Sequence, residues 1–167
     1  SNFIFNHINK NYQKHLNFSK KKLMVIFRGI NLEYFNSKNI STEKVEILSK
    51  FWNIDKNNFV ILLPGRLTKW KGQEIFIEAL SLLVEDYSKN NFQAIILGSD
   101  QGRNIYSKKL SLLVERYRLG KKVTFIKSCK EMPLAYKLAD VAVSSSIEPE
   151  AFGRIAVEAQ AMSKPII

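Results

Sequence analysis

Phe59-Val60-Ile61-Leu62-Leu63-Pro64-Gly65 is a run of five apolar residues stopped by a turn pair. It does not alternate apolar with polar, so a strand here is covered on both faces, as in a parallel sheet. Helical spacing follows from about Gly72 to Tyr87, with Phe76, Ala79, Leu80 and Leu83 on one face. Working toward the C-terminus, Phe92 to Leu97 reads as a second strand, stopped by Gly98. A helix spans about Asn104 to Arg118, with Leu110, Leu113, Val114 and Tyr117 inward and Gly120 past its end. Val123 to Ile126 is a third strand, Pro133 to Ala139 a short helix, and Asp140 to Ser145 a fourth strand. Ile166-Ile167 would start a fifth. Strands alternating with helices mean βαβ units: an α/β fold, a Rossmann-like parallel sheet with helices on both faces.

Toward the N-terminus, Ser41 or Thr42 can cap a helix through about Phe51. Ile30 to Asn39 is irregular and reads as a linker. Leu23 to Phe27 is a short buried-type strand, and residues 3–16 carry helical spacing. The chain does not begin with Met and stops where a strand is starting, so a piece excised from a longer protein is expected.

Its 167 residues are enough for one domain with a sizeable core. With 46% hydrophobic and 25% charged residues, the composition is that of an ordinary soluble domain. One cysteine, Cys129, excludes an internal disulfide framework, fits a reducing compartment and reads as a small half-buried filler. No apolar run approaches the roughly 18 residues a membrane span needs. A net charge of +11 admits nucleic acid, an anionic membrane surface or phosphorylated ligands. The lysines are scattered, Lys20-Lys21-Lys22 being the one tight run, so a solvated lysine-rich surface is the simpler reading.

In open parallel sheets, ligands bind beyond the carboxyl ends of the strands. After the first strand comes Gly65-Arg66-Leu67-Thr68-Lys69-Trp70-Lys71-Gly72, with cations between glycines and ahead of a helix. It reads either as a phosphate cradle, Arg66 gripping with two donors and Lys71 acting as a point charge, or as an ordinary basic loop. Gly98, after the second strand, opens a turn where backbone could approach a ligand. Lys127-Ser128-Cys129-Lys130-Glu131, after the third, carries free backbone groups that could read a base edge. After the fourth come Glu150 and a helix opening at Gly153. Amides of Phe152, Gly153, Arg154 and Ile155 would lack intrahelical partners and would favour an anion. Glu158 lies further in, on an otherwise apolar helix; it needs either a protein partner, such as Arg154 at i−4, or a ligand. Two acids beside an anion-binding helix start suit a ligand that has both phosphate and neutral hydroxyls, such as a nucleotide sugar. His7 and His15 form no metal constellation and no Asp-x-Asp occurs, so Arg66 and Lys71 are expected to replace a divalent ion. Trp52 and Trp70 read as packing residues.

Glu150-x7-Glu158, carried as Glu-Ala-Phe-Gly-Arg-Ile-Ala-Val-Glu-Ala, resembles the signature of the retaining glycosyltransferases of family 4, the glycosyl transferases group 1. Gly65-Arg66-Leu67 with Lys71-Gly72 resembles the family's phosphate-binding loop. Leu97-Gly98 and Ala139-Asp140-Val141 leading to Ser144 also match, as do Ser1-Asn2-Phe3-Ile4 and Arg28-Gly29-Ile30-Asn31 near the start. Two positions depart: Lys127 and Ser163 stand where the family often has Gly.

The resemblance implies the C-terminal half of a GT-B fold, with the final strand and C-terminal helices beyond the chain's end. Residues 1–35 would be the tail of the N-terminal domain and the interdomain linker, and 36–167 the donor-binding domain. It implies transfer of a sugar from a UDP-sugar or GDP-sugar, without metal or other cofactor. Arg66 and Lys71 would hold the diphosphate, and Glu150 would contact the sugar. The amides of Phe152 to Ile155 would meet sugar and phosphate, Glu158 the ribose, and Ile126 to Ser128 the base, with Gly65 and Gly98 lining the turns. The acceptor, a sugar or lipid-linked glycan in cell-surface polysaccharide or lipopolysaccharide synthesis, would meet the N-terminal domain, so this chain alone is expected to bind donor only. A cytoplasmic protein is implied, with possible peripheral contact at the inner face of the membrane. Alternatives are a nucleotide-sugar epimerase or hydrolase of the same fold, and a noncatalytic basic module for membrane or nucleic acid, nucleic acid being the less expected partner.

Overall fold

The computed structural model describes residues 28–55, 57–86, 91–102 and 104–167, together with positions 6 and 10. The helix expected over 3–16 and the strand expected over 23–27 lie outside the described residues. The elements are α1 (Thr42–Phe51), β1 (Phe59–Pro64), α2 (Gln73–Asp86), β2 (Phe92–Leu97), α3 (Asn104–Arg116), β3 (Val123–Ile126), α4 (Met132–Leu138), β4 (Val141–Ala142) and α5 (Arg154–Ala161). Single 3-10 turns form at Ser37–Asn39, inside the expected linker, and at Lys69–Lys71.

The sheet is all parallel, in the order β3-β2-β1-β4. Phe59 pairs with Phe92 and the register runs to Pro64 with Leu97. Ile166 bridges Ala142 in the parallel sense, so a fifth strand position lies beyond β4. The alternation of a pleated strand sorts the core into two clusters. Ile61, Leu63, Ala94, Ile96 and Val141 pack with α2 and α3 through Phe76, Ile77, Leu80, Leu110 and Val114. Val60, Leu62, Ile95, Leu97 and Ala142 face the other way, against Tyr136 of α4, Ala159 of α5 and the residues that close α1, α4 and α5, Trp52, Ala139 and Met162. Each fully buried Leu or Ile contributes roughly 1.5–3 kcal/mol.

Three expectations are corrected. On α2 the inward residue is Ile77, wholly buried, whereas Ala79 is exposed. Gly120 does not end α3; Arg118 takes the left-handed conformation there instead. The fourth strand is shorter than expected, because beyond Ser144 the chain turns to the loop after β1. Ser145 Oγ donates to the Lys71 carbonyl (3.0 Å) and the Ile147 amide to the Trp70 carbonyl (2.8 Å).

Candidate functional site

β1 lies between β2 and β4, so the loop leaving its carboxyl end touches both neighbouring loops. The Gly65 amide donates to the Leu97 carbonyl (2.8 Å) and the Leu67 amide to the Ser99 carbonyl (3.0 Å). A Cβ at Gly98 would fall 1.9 Å from the Gly65 carbonyl oxygen, so only glycine lets the two loops meet there. Gly72 closes the other end with φ +68°, and a Cβ on it would fall 1.8 Å from the Ser145 carbonyl oxygen. The wholly buried Gln73 donates to the Arg66 carbonyl (2.8 Å). The 65–72 loop is therefore held on three sides.

This brings Lys71 to Glu150. Their side chains pair, Ser146 Oγ donates to the same Glu150 oxygen (2.6 Å), and the Lys71 ammonium sits 4.4 Å from the centre of the Trp70 ring. Glu150 is thus not a solvated loop acid. Burial pushes its carboxyl up, but hydrogen bonds from Lys71 and Ser146 and the Lys71 charge outweigh that, so it titrates below its ordinary value.

α5 starts beside this pair. Gly153, at φ +71°, precedes its first turn, and the first amides bonded back are those of Ala156 and Val157, both to the Gly153 carbonyl. Among the described residues the amides of Phe152 to Ile155 donate to no backbone carbonyl. Further along, Glu158 is met by protein side chains and also faces a cleft. It is 6% exposed, accepts from Tyr136 Oη (3.0 Å) and from Arg154 Nε (3.1 Å), and ion-pairs with Arg154 Nη2 at 2.9 Å.

These groups line one cleft of about 530 Å³ at the carboxyl ends of β1 and β4, within the range of small-ligand sites. Gly65, Arg66, Lys71, Glu150, Phe152, Gly153, Arg154, Ile155 and Glu158 all face it. Four cationic side chains, Arg28, Arg66, Lys71 and Arg154, stand against two carboxylates. Arg66 is exposed and makes no ion pair among the described residues. A second hollow of about 550 Å³ shares Arg28, Met132, Phe152, Arg154 and Glu158 and extends to Tyr34.

Gly98, Ile126, Lys127 and Ser128 do not line the cleft. β3 is the far edge strand, separated from β1 by β2. Ile126 does pack on the same side of the sheet as Met132, which both hollows share, whereas Lys127 and Ser128 are exposed. Sequence reasoning missed Tyr136, Met132 and Arg28, and it read Trp70 as packing although it lines the cleft; Trp52 is buried in the core. Tyr136 sits at a core-facing position of α4, so its spacing signals packing. Only its hydroxyl, aimed at a residue 22 positions away, marks it as part of the site. No three His, Cys, Asp or Glu side chains cluster as a metal-binding group among the described residues. No described helix is long and apolar enough to cross a membrane.

The model of the family described as glycosyl transferases group 1 matches residues 44–167. The D-inositol 3-phosphate glycosyltransferase of Corynebacterium urealyticum is 29% identical over 164 residues, covering 96% of this chain and 37% of that protein. Among solved structures, a glycosyltransferase from Rickettsia africae superposes with a TM-score of 0.86 at 32% identity, over 99% of this chain and 42% of its own. Anabaena HepE, solved in complex with UDP-glucose, superposes with a TM-score of 0.75 at 29% identity, over 89% of this chain and 38% of its own. The chain thus spans about two fifths of the length of each of these proteins.

Proposed function

Because the chain belongs to the glycosyl transferases group 1 family, we propose that its cleft holds a nucleoside diphosphate sugar and that the whole protein passes the sugar to an acceptor with retained anomeric configuration. One observation carries this reading: the cations of the 65–72 loop, the start of α5 and two carboxylates converge on one cleft. A diphosphate fits between Arg66, Lys71 and the free amides at the start of α5, where the helix dipole adds to the side-chain charges. Glu150 takes the transferred sugar's hydroxyls and Glu158 those of the ribose. The base extends toward Ile126, along the side of the sheet that carries Met132. HepE, solved with UDP-glucose, supports a nucleotide sugar as the ligand class.

Lys71 has a double role in this reading. It neutralises Glu150; with donor bound it turns to the phosphate and releases the Glu150 carboxylate to the sugar. As the glycosidic bond breaks, charge grows on the departing diphosphate, and Arg66, Lys71 and the α5 amides are already in place to stabilise it. The cations take the part a divalent ion would otherwise play. The acceptor, a sugar or lipid-linked glycan of the cell surface, is met mainly outside this chain, so the 167 residues alone bind donor without turnover. The basic surface supports peripheral contact with an anionic membrane, which liposome co-sedimentation of the full-length protein would test.

The test is kinetic. In full-length protein Arg66→Ala and Lys71→Ala should each lower kcat by about 10²-fold or more, and turnover should survive EDTA. Near-wild-type rates in both variants would remove the proposed role of the loop. Product analysis with and without acceptor separates a transferase from an epimerase or hydrolase, which would release altered or free sugar with no acceptor present.

A further inference from the structure

The geometry points to Tyr136 as the positioning residue that aims Glu158 into the cleft and so makes the site select ribonucleotides over 2′-deoxyribonucleotides. This inference rests on the donor reading above and concerns a residue that never has to touch the ligand.

An ionised carboxylate is an acceptor with about four lone-pair sites. In Glu158 three are engaged. Both contacts from Arg154, through Nε and Nη2, fall on Oε1, and Oε2 receives the Tyr136 hydroxyl. One lone pair, on Oε2, remains unclaimed. A ribose diol brings two O–H donors, so one further acceptor position must be vacated when it binds.

The two protein donors differ in which can leave. Arg154 has a side chain that is 66% exposed, so its guanidinium can swing into water or onto a phosphate at little cost. The Tyr136 ring is 0% exposed, is held in the core among Ala135 and Ala139, and meets Phe35 edge-on at 6.2 Å. Its hydroxyl has a fixed position and a single direction. Burial, followed by the neighbouring Glu158 charge, raises the Tyr136 phenol well above its ordinary value, so it remains a donor across the physiological range. Tyr136 therefore fixes the plane of the carboxylate while Arg154 acts as the exchangeable placeholder. When a ribose enters, Oε1 is released by Arg154 and faces the diol already oriented.

The experiment is nucleotide binding by calorimetry to the full-length protein, with UDP, 2′-deoxy-UDP, GDP and 2′-deoxy-GDP. Wild type should prefer the ribo form of whichever base it binds by roughly tenfold or more. Tyr136→Phe keeps the ring and removes only the hydroxyl. It should weaken the ribo form by about tenfold and leave the deoxy form nearly unchanged, so that the preference collapses. Equal weakening of both forms, with the ratio intact, would mean that Tyr136 only packs, and would overturn the inference. Arg154→Ala, at an exposed position, provides a decision even if the Phe variant does not fold. It removes the placeholder that only the diol has to displace, so the preference for the ribo form should persist or widen; loss of the preference there would assign the aiming to Arg154 and overturn the inference as well. Wild type that binds UDP or GDP without regard to the 2′-hydroxyl would overturn it while the donor reading stands. Wild type that binds no nucleotide at all would overturn the donor reading itself.

Discussion

At the residue scale, Gly72 closes the loop that lines the cleft and Glu150 sets the charge beside it. Gly72 is forced by contact and by conformation together: φ is +68° and a Cβ would meet the Ser145 carbonyl oxygen at 1.8 Å. Gly102 has a similar φ, +81°, but open space around it. Gly72→Ala should therefore cost about 3 kcal/mol or more, from left-handed strain plus displaced backbone, while Gly102→Ala should cost about 1 kcal/mol from strain alone. Urea unfolding of the two variants checks the contrast, and equal losses would contradict it. For Glu150 the argument is electrostatic. Its folded pKa lies below the ordinary 4.5, so the pairing with Lys71 adds stability above that value and loses it as pH falls through the folded pKa. Wild type should exceed Glu150→Gln by about 1 kcal/mol at pH 7. The gap should close as pH is lowered from 4.5 through that folded pKa, as followed by urea midpoints across the range. The pair spans 79 residues, and neither partner's local sequence announces it; the spacing from Arg154 to Glu158 does announce theirs.

At the element scale the helix ends hold a regularity that the residue types conceal. α1, α3 and α5 all close with the same double bond. The Asn53, Arg118 and Ser163 amides reach back to Lys50, Glu115 and Gln160, and the Ile54, Leu119 and Lys164 amides to Ser49, Val114 and Ala159. Each of the first three residues sits at φ between 54° and 57°, the position where glycine is most at ease. Asn tolerates it through its short polar side chain; Arg and Ser do not. Arg118→Gly and Ser163→Gly should each raise stability by about 0.5–1 kcal/mol, and Asn53→Gly should be near neutral. Thermal unfolding reads this directly, and destabilised Gly variants would show that the Arg118 and Ser163 side chains contribute contacts that outweigh the strain. Ser163, where the resembled pattern often has Gly, thus falls on the turn that closes α5. The end of α3 was misplaced in sequence because Gly120, two residues later, carries the usual sign while Arg118 carries the conformation. The same scale explains Ile77 and Ala79. Both suit an apolar helical stripe, and only the tilt of α2 on the sheet selects which one points inward.

For the whole molecule, what the sequence determined by itself is the set of elements and their class. Strands covered on both faces are largely apolar, so β1 appears as a continuous run and β2 and β3 as runs broken only by Gln93 and Thr124, and the alternation with helices follows from chain order. The loop cations and the opening of α5 were legible for the same reason, because ligands gather at strand ends in such sheets. The tertiary structure alone decided which strand ends share a cleft. The order β3-β2-β1-β4 sets the last of these strands against the first, bringing Lys71 to Glu150 and leaving Lys127 and Ser128 outside. It also decided that Glu158 is met by Tyr136 from α4, a contact between two helices that each read as core. Apolar burial writes itself locally, through periodicity. A pair of polar side chains from distant segments is fixed by sheet order, register and helix tilt, which arise only when the segments pack.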